Sequence, residues 1–380
     1  MIYLDNCATT YPKPMCVRRA VSEAMVRYGA NSGRSGFDMS MASAGKIYEC
    51  REKLAKMFGA ADAQNVIFTS NCTHSLNLAI KGVAEKGDHF IISNLEHNAV
   101  LRPVNTLAQR GVISYSVAQY DFSQEKTVFN FVSLFRPETK AVICQHASNV
   151  FGVTFPIRRI GEECRKRGII FIVDAAQSAG ILPIDVQKDN IDILCMPGHK
   201  GLYGPMGTGV MIINTDFKMT SLIEGGTGSN SALALQPEIY PDFFESGTLN
   251  NSGIIGLSAG VDFVNSMGMN NIRKHEYMLC SQLYDGLKRR RDKVELYLPK
   301  PEYPNILPVI SFNVRSLHSE ETAALLSSHS IAVRAGYHCA YTAHKAFSTE
   351  YKGTVRVCPS VFTSLHDVQC FNFVMNMLLK

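Results

Sequence analysis

Gly168-Ile169-Ile170-Phe171-Ile172-Val173-Asp174 runs without a charge for six residues, stops on a carboxylate, and is followed by Gln177. An unbroken β-branched and aromatic run is the pattern of a strand covered on both faces, because a half-exposed strand alternates apolar with polar. The same reading applies on either side. Asn65-Val66-Ile67-Phe68-Thr69 ends before Ser70-Asn71-Cys72-Thr73-His74, and His89-Phe90-Ile91-Ile92 ends before Glu96-His97. Ala141-Val142-Ile143-Cys144 precedes Asn149, and Ile191-Asp192-Ile193-Leu194-Cys195-Met196 precedes Pro197-Gly198-His199-Lys200. Helical patterns over 73–85, 99–109 and 157–166 lie between these runs. Strand and helix in alternation predict right-handed crossovers and a largely parallel sheet with helices on both faces, an α/β fold. In such sheets ligands sit beyond the carboxyl ends of the strands, where all of these polar residues would converge.

The residue types at those ends describe a ligand. A helix opening at Ser70-Asn71-Cys72-Thr73-His74 offers free N–H groups and the positive end of its dipole to a phosphate. His97 brings an imidazole that stacks on a ring or moves a proton. Asp174, ending a buried strand, is costly unless it meets a cation or a donor, and a protonated pyridine nitrogen meets that need. Asn149 and Gln177 can hydrogen-bond a ring phenolate. Lys200, in Gly-rich GHKGLYGPMGTG, can hold an imine with a carbonyl. Together they point to pyridoxal 5'-phosphate.

The chain resembles the cysteine desulfurase branch of the class V, fold-type I, aminotransferase-like enzymes. The likeness rests on YLDNCATTYPKP from Tyr3, NSGRSG from Asn31, FTSNCTHSLNLAIKG from Phe68, LEHNAVLRP from Leu95 and HASNVFG from His146. It continues with VDAAQSAG from Val173, GHKGLYGPMGTG from Gly198, FESGTLN from Phe244, VRAGYHCA from Val333 and GTVRVCPSVFTS from Gly353. That resemblance implies a large domain with a mostly parallel sheet covered by helices, over 15–255. A smaller C-terminal α+β domain, 256–380, would carry the N-terminal arm, 1–14. It implies that Thr73 and His199 contact the cofactor phosphate, His97 stacks on the ring and Asp174 pairs with its nitrogen. Asn149 and Gln177 would lie near the phenolate, and Lys200 would form the imine. Thr248 would reach the phosphate of a partner subunit, which makes a homodimer the expected state.

Cys339 decides the chemistry. A free cysteine is by default a small buried hydrophobe, but Arg334-Ala335-Gly336-Tyr337-His338-Cys339-Ala340 resembles the catalytic-cysteine loop of the second group of these enzymes. Neighbouring Arg334 and His338 would favour the thiolate. Arg356 resembles the arginine that clamps the substrate carboxylate, a task its bidentate fork suits better than a surface ion pair. The implied reaction takes L-cysteine to L-alanine and leaves sulfur on Cys339 as a persulfide for a protein acceptor, with Lys200 and His97 moving protons. The same residues serve a selenocysteine lyase. A class V aminotransferase would dispense with Cys339, and an idle cofactor-binding scaffold would use none of them. The chain departs from the family pattern at Cys7, where alanine is usual, and at Phe37, Cys72 and Pro197. These changes bear on the choice of substrate.

Composition sets outer bounds. With 380 residues, 46% of them apolar, the chain can bury a large core. A net charge of +5 is too mild to argue for nucleic acid, and the run Lys288-Arg289-Arg290-Arg291 in a predicted helix over 272–293 reads as a solvated helix end. No apolar stretch suits a membrane span. Eleven irregularly spaced cysteines without zinc spacing suggest reduced thiols and a cytoplasmic setting.

Overall fold

The computed structural model describes residues 1–33 and 36–380; Arg34 and Ser35, inside the NSGRSG stretch, lie outside the described residues. The strands are β1 (Ile2–Tyr3), β2 (Val66–Thr69), β3 (Asp88–Ser93), β4 (Ile113–Ala118), β5 (Thr139–Gln145), β6 (Ile170–Asp174), β7 (Ile193–Pro197), β8 (Gly209–Ile213), β9 (Val294–Leu296), β10 (Ile310–Val314), β11 (Ile331–Ala332), β12 (Arg334–Gly336) and β13 (Thr354–Val357). The helices are α1 (Met15–Arg27), α2 (Asp38–Phe58), α3 (Cys72–Val83), α4 (Asn98–Gln109), α5 (Gln124–Val132), α6 (Ile157–Arg165), α7 (Asn251–Met267), α8 (Met269–Lys288), α9 (Ser319–Ser328), α10 (Tyr341–Ala346) and α11 (Leu365–Leu378).

The seven-stranded sheet has the order β2-β8-β7-β6-β5-β3-β4. Only β8 runs against its neighbours, β2 and β7; the other pairings are parallel. Because successive side chains leave a strand on opposite faces, Val142, Cys144, Phe171 and Val173 pack on one side with α2, α5, α6 and α7. Ala141, Ile143, Ile170 and Ile172 pack on the other with α3 and α4. Both faces are therefore apolar, which is why β5 and β6 read as unbroken runs.

A four-stranded antiparallel sheet, β12-β13-β10-β9, forms a second core with α8, α9 and α11 through Leu279, Leu283, Phe312, Leu326 and Phe371. The N-terminal arm joins this unit: β1 pairs in parallel with β11. The division expected at residue 255 falls inside α7, whose Ile254, Leu257 and Val261 pack in the large core. The chain leaves α7 at Gly268, with φ 78°, and begins α8. The basic triplet lies just past α8, whose last residue is Lys288. Among the described residues no helix is long and apolar enough to cross a membrane.

Candidate active site

Beyond the carboxyl ends of β3, β5, β6 and β7 lies a cleft lined by Cys72, Thr73, His97, Asn149, Asp174, Gln177, Pro197, His199 and Lys200. Asn71 opens α3 on one wall, its side chain accepting the His74 N–H at 2.9 Å. That cap satisfies one first-turn donor and leaves the N–H groups of Cys72 and Thr73, which have no protein acceptor among the described residues, at the cleft.

Asp174 is buried at the end of β6 and accepts the Ala176 N–H at 2.8 Å; the Cys72 thiol stands 3.6 Å from the same oxygen. Burial raises its carboxyl above the usual carboxylate range, opposed first by that N–H and then by Lys200. Burial likewise lowers the Lys200 amine below an ordinary lysine, against the pull of Asp174. The loop that carries the lysine is anchored by the N-terminal arm. The carbonyl of His199 accepts from Thr9 Oγ1 at 3.1 Å, Thr10 N at 3.2 Å and Lys13 Nζ at 2.7 Å. His199 Nδ1 and Asn149 Oδ1 are buried without a partner, so two polar atoms at the cleft wait for a ligand group.

His97 caps α4, its Nδ1 accepting the Ala99 N–H at 3.0 Å, which leaves the ring proton on Nε2. Burial, followed by the charges of Lys200, Arg334, Arg102 and Arg356, lowers its pKa to about 4. In the protein alone the ring is thus a neutral hydrogen-bond donor with its lone pair already used. Glu96 beside it is fully buried, accepts from Ser93 Oγ at 2.6 Å and Gln145 N at 2.9 Å, and has its pKa pushed up by burial to about 8.

Cys339 does not line the cleft. It is exposed on the turn between β12 and α10, where Gly336, His338 and Cys339 all take positive φ, 93°, 50° and 58°. For His338 and Cys339 that left-handed backbone costs on the order of 1–3 kcal/mol each, so the surroundings must impose it. They do so by two hydrogen bonds: Asn98 N–H donates to the Cys339 carbonyl at 2.7 Å, and Asn149 Nδ2 donates to the His338 carbonyl at 2.7 Å. Arg334 Nη2 lies 3.8 Å from Cys339 Sγ. His338, expected to favour the thiolate, is turned inward and stacks on His344 at 5.8 Å. Burial holds it well below the usual histidine range, so it supplies no positive charge.

Arg356 is buried rather than on the surface. Its Nη1 donates to the Asn149 carbonyl and its Nη2 to Asp5 Oδ1, both at 2.7 Å, while Nε has no partner. Gln177 Nε2 donates to the Cys7 carbonyl at 3.2 Å. Thr248 is exposed, outside its own chain's cleft, and accepts from Asn31 Nδ2 at 3.3 Å. Asp5 and the Asn98 N–H escape a reading by residue type: one pairs across 351 positions, and the other is a backbone group that any residue but proline carries.

The class V aminotransferase family pattern matches residues 2–371. A probable cysteine desulfurase of Pyrococcus abyssi is 35% identical over 100% of this chain and 94% of its own length. One from Methanothermobacter thermautotrophicus is 32% identical over 97% of this chain and 92% of its own. Among solved structures, the apo cysteine desulfurase of Thermococcus onnurineus superposes with a TM-score of 0.91 at 33% identity, covering 100% of this chain and 94% of that one.

Proposed function

Since the chain belongs to the cysteine desulfurases of the class V aminotransferase family, we propose that it converts L-cysteine to L-alanine and takes the sulfur onto Cys339. The observation that carries this reading is the double bond of support between cleft and loop. Asn149, in the loop after β5, and Asn98, the first residue of α4 after β3, both hold the backbone of the turn that bears Cys339.

The cleft fits pyridoxal 5'-phosphate. Free N–H groups at the start of α3 with Thr73 and His199 would hold the phosphate, and the Asp174 carboxylate would meet the ring nitrogen. His97 would lie against the ring, Asn149 and Gln177 would be near its hydroxyl, and Lys200 would bind it covalently. When bound, this cofactor supplies an electron sink for the charge left when the substrate loses its Cα proton. Lys200, whose amine burial makes easier to deprotonate, is the base for that proton. The unpartnered Nε of Arg356 supports a role at the substrate carboxylate. Cys339 thiolate, beside Arg334, attacks the substrate sulfur; an S–S bond forms as the C–S bond breaks, and the β-carbon gains a proton. One enzyme thiol and one cysteine thus give one persulfide and one alanine, with no outside oxidant. The exposure of Cys339 suits passage of that sulfur to a thiol acceptor. Thr248, turned away from its own cleft, suits service to a partner subunit in a homodimer.

Incubation of the cofactor-loaded protein with L-cysteine and a reductant should release alanine and sulfide in equal amounts. Colour change on adding L-cysteine without any sulfide would sink the desulfurase reading.

A further inference from the structure

Behind Lys200, on the side away from the cofactor cleft, a void of about 30 Å³ is walled by Cys7, Cys358, Gln177, Lys200, Tyr203 and Glu276. That is room for a molecule of one or two water volumes. Two of its walls are thiols, and nothing in the proposed reaction uses either.

Backbone pairing places them together. Asp5 forms a parallel bridge with Cys358, whose N–H donates to the Leu4 carbonyl at 2.7 Å and whose carbonyl accepts from Asn6 Nδ2 at 2.9 Å. Cys7, two residues past that bridge, packs with Cys358 in one buried apolar cluster, both residues line the void, and the Cys358 thiol lies 3.6 Å from the Pro359 carbonyl. The contact is unequal. Burial opposes the Cys7 thiolate, but neighbouring Cys358 and the Arg356 guanidinium outweigh it, so Cys7 falls below the usual thiol value. Cys358, beside Cys7 and buried, is pushed well above it. A thiol that ionises more readily than usual, packed beside a second thiol, is suited to oxidation to a disulfide.

We propose that Cys7 and Cys358 are a peroxide-responsive dithiol, a modification site distinct from Cys339. Cys7 thiolate attacks one oxygen of hydrogen peroxide, the O–O bond breaks, and the departing hydroxide takes up the proton that the Cys7 thiol gave up, leaving a sulfenic acid and one water. The Cys358 thiol then attacks that sulfur and releases a second water. Two thiols and one peroxide give one disulfide and two waters. The bond ties the N-terminal arm, next to Asp5, to the end of β13, next to Arg356, and a thiol reductant reverses it.

The test uses the pyridoxal-phosphate-loaded Cys339→Ala protein, which lacks the exposed thiol of the β12–α10 turn. It is treated with hydrogen peroxide, alkylated after denaturation and mapped by proteolysis and mass spectrometry. The expected product is a peptide joining Cys7 to Cys358 that separates on reduction with dithiothreitol. Adding Cys7→Ala, the residue usual in the family at this position, should abolish the cross-link and return Cys358 as an alkylated thiol. Recovery of both residues as alkylated thiols after peroxide overturns the proposal, and so does Cys7 as a sulfinic acid beside a free Cys358.

Discussion

Lys200 and Cys339 are held in opposite ways. The lysine follows a regular strand of the large sheet, with Asp174 on the neighbouring strand and the N-terminal arm bonded to its loop. The cysteine sits on a short turn in left-handed backbone, kept there by amide donors from outside its own sheet. A group that must keep one position against a fixed cofactor belongs on a rigid element. A group that must meet the substrate sulfur and then present it outward belongs on an exposed loop pinned at its carbonyls.

The largest effects should separate these two regions outright. Lys200→Ala should lose alanine production by at least about 10²–10⁴-fold and lose the covalent cofactor spectrum as well, since base and imine are one residue. Cys339→Ala should lose sulfide and alanine to a similar extent yet keep the spectrum. If Cys339→Ala bleached the protein, the separation drawn here would be wrong.

A pH series probes the sheet side. Burial holds Glu96 at about 8 against an ordinary 4.5, so the folded state keeps a proton that the unfolded chain releases. Its contribution to stability is complete below about 4.5 and drains away as pH climbs through about 8, by at most ~5 kcal/mol. Glu96→Gln should flatten that part of the profile in denaturant titrations at pH 5 and pH 8. An unchanged slope would mean the carboxyl is ionised or hydrated in place.

The loop side is probed by Asn98→Pro. Asn98 is the first residue of α4, where proline is well tolerated, and His97 before it already has the extended φ −68°, ψ 153° that proline demands. The change deletes one donor, the N–H on the Cys339 carbonyl. Losing that bond should free the turn and slow sulfide release about tenfold, for roughly 1–2 kcal/mol, without altering cofactor affinity. Full turnover in this variant would show that the strained turn holds itself. The smallest effect is expected at Arg291→Ala, exposed beyond α8 in neither region, which should shift stability by no more than about 0.5 kcal/mol in the same titration.

The contrast also marks how far sequence could be read. β5, β6 and β7 were legible because both faces of each are buried, so composition alone separates them from loops. The opposite direction of β8 was not, since Gly209–Ile213 carries the same apolar signature whichever way it runs. β4 is not legible because it is an edge strand with Ser114 and Val117 exposed and Tyr115 and Ser116 half-buried, so it shows no unbroken apolar run. In the site, the residues that line the cleft end buried strands and so stood out. Asp5, by contrast, makes sense only once Arg356 is brought across the chain to meet it. The inward turn of His338 depends on a backbone angle that residue type does not announce.

The docking of the N-terminal arm has a consequence for synthesis. Ile2 pairs with Ile331 and Asp5 with Cys358, so the arm finds its partners only after the chain through β11 and Cys358 has been made. At roughly 5–20 residues per second, the arm waits on the order of tens of seconds. Until it docks, the loop that presents Lys200 lacks the bonds from Thr9, Thr10 and Lys13. Synthesis through Cys358 thus precedes the full anchoring of the loop that carries the reactive amine.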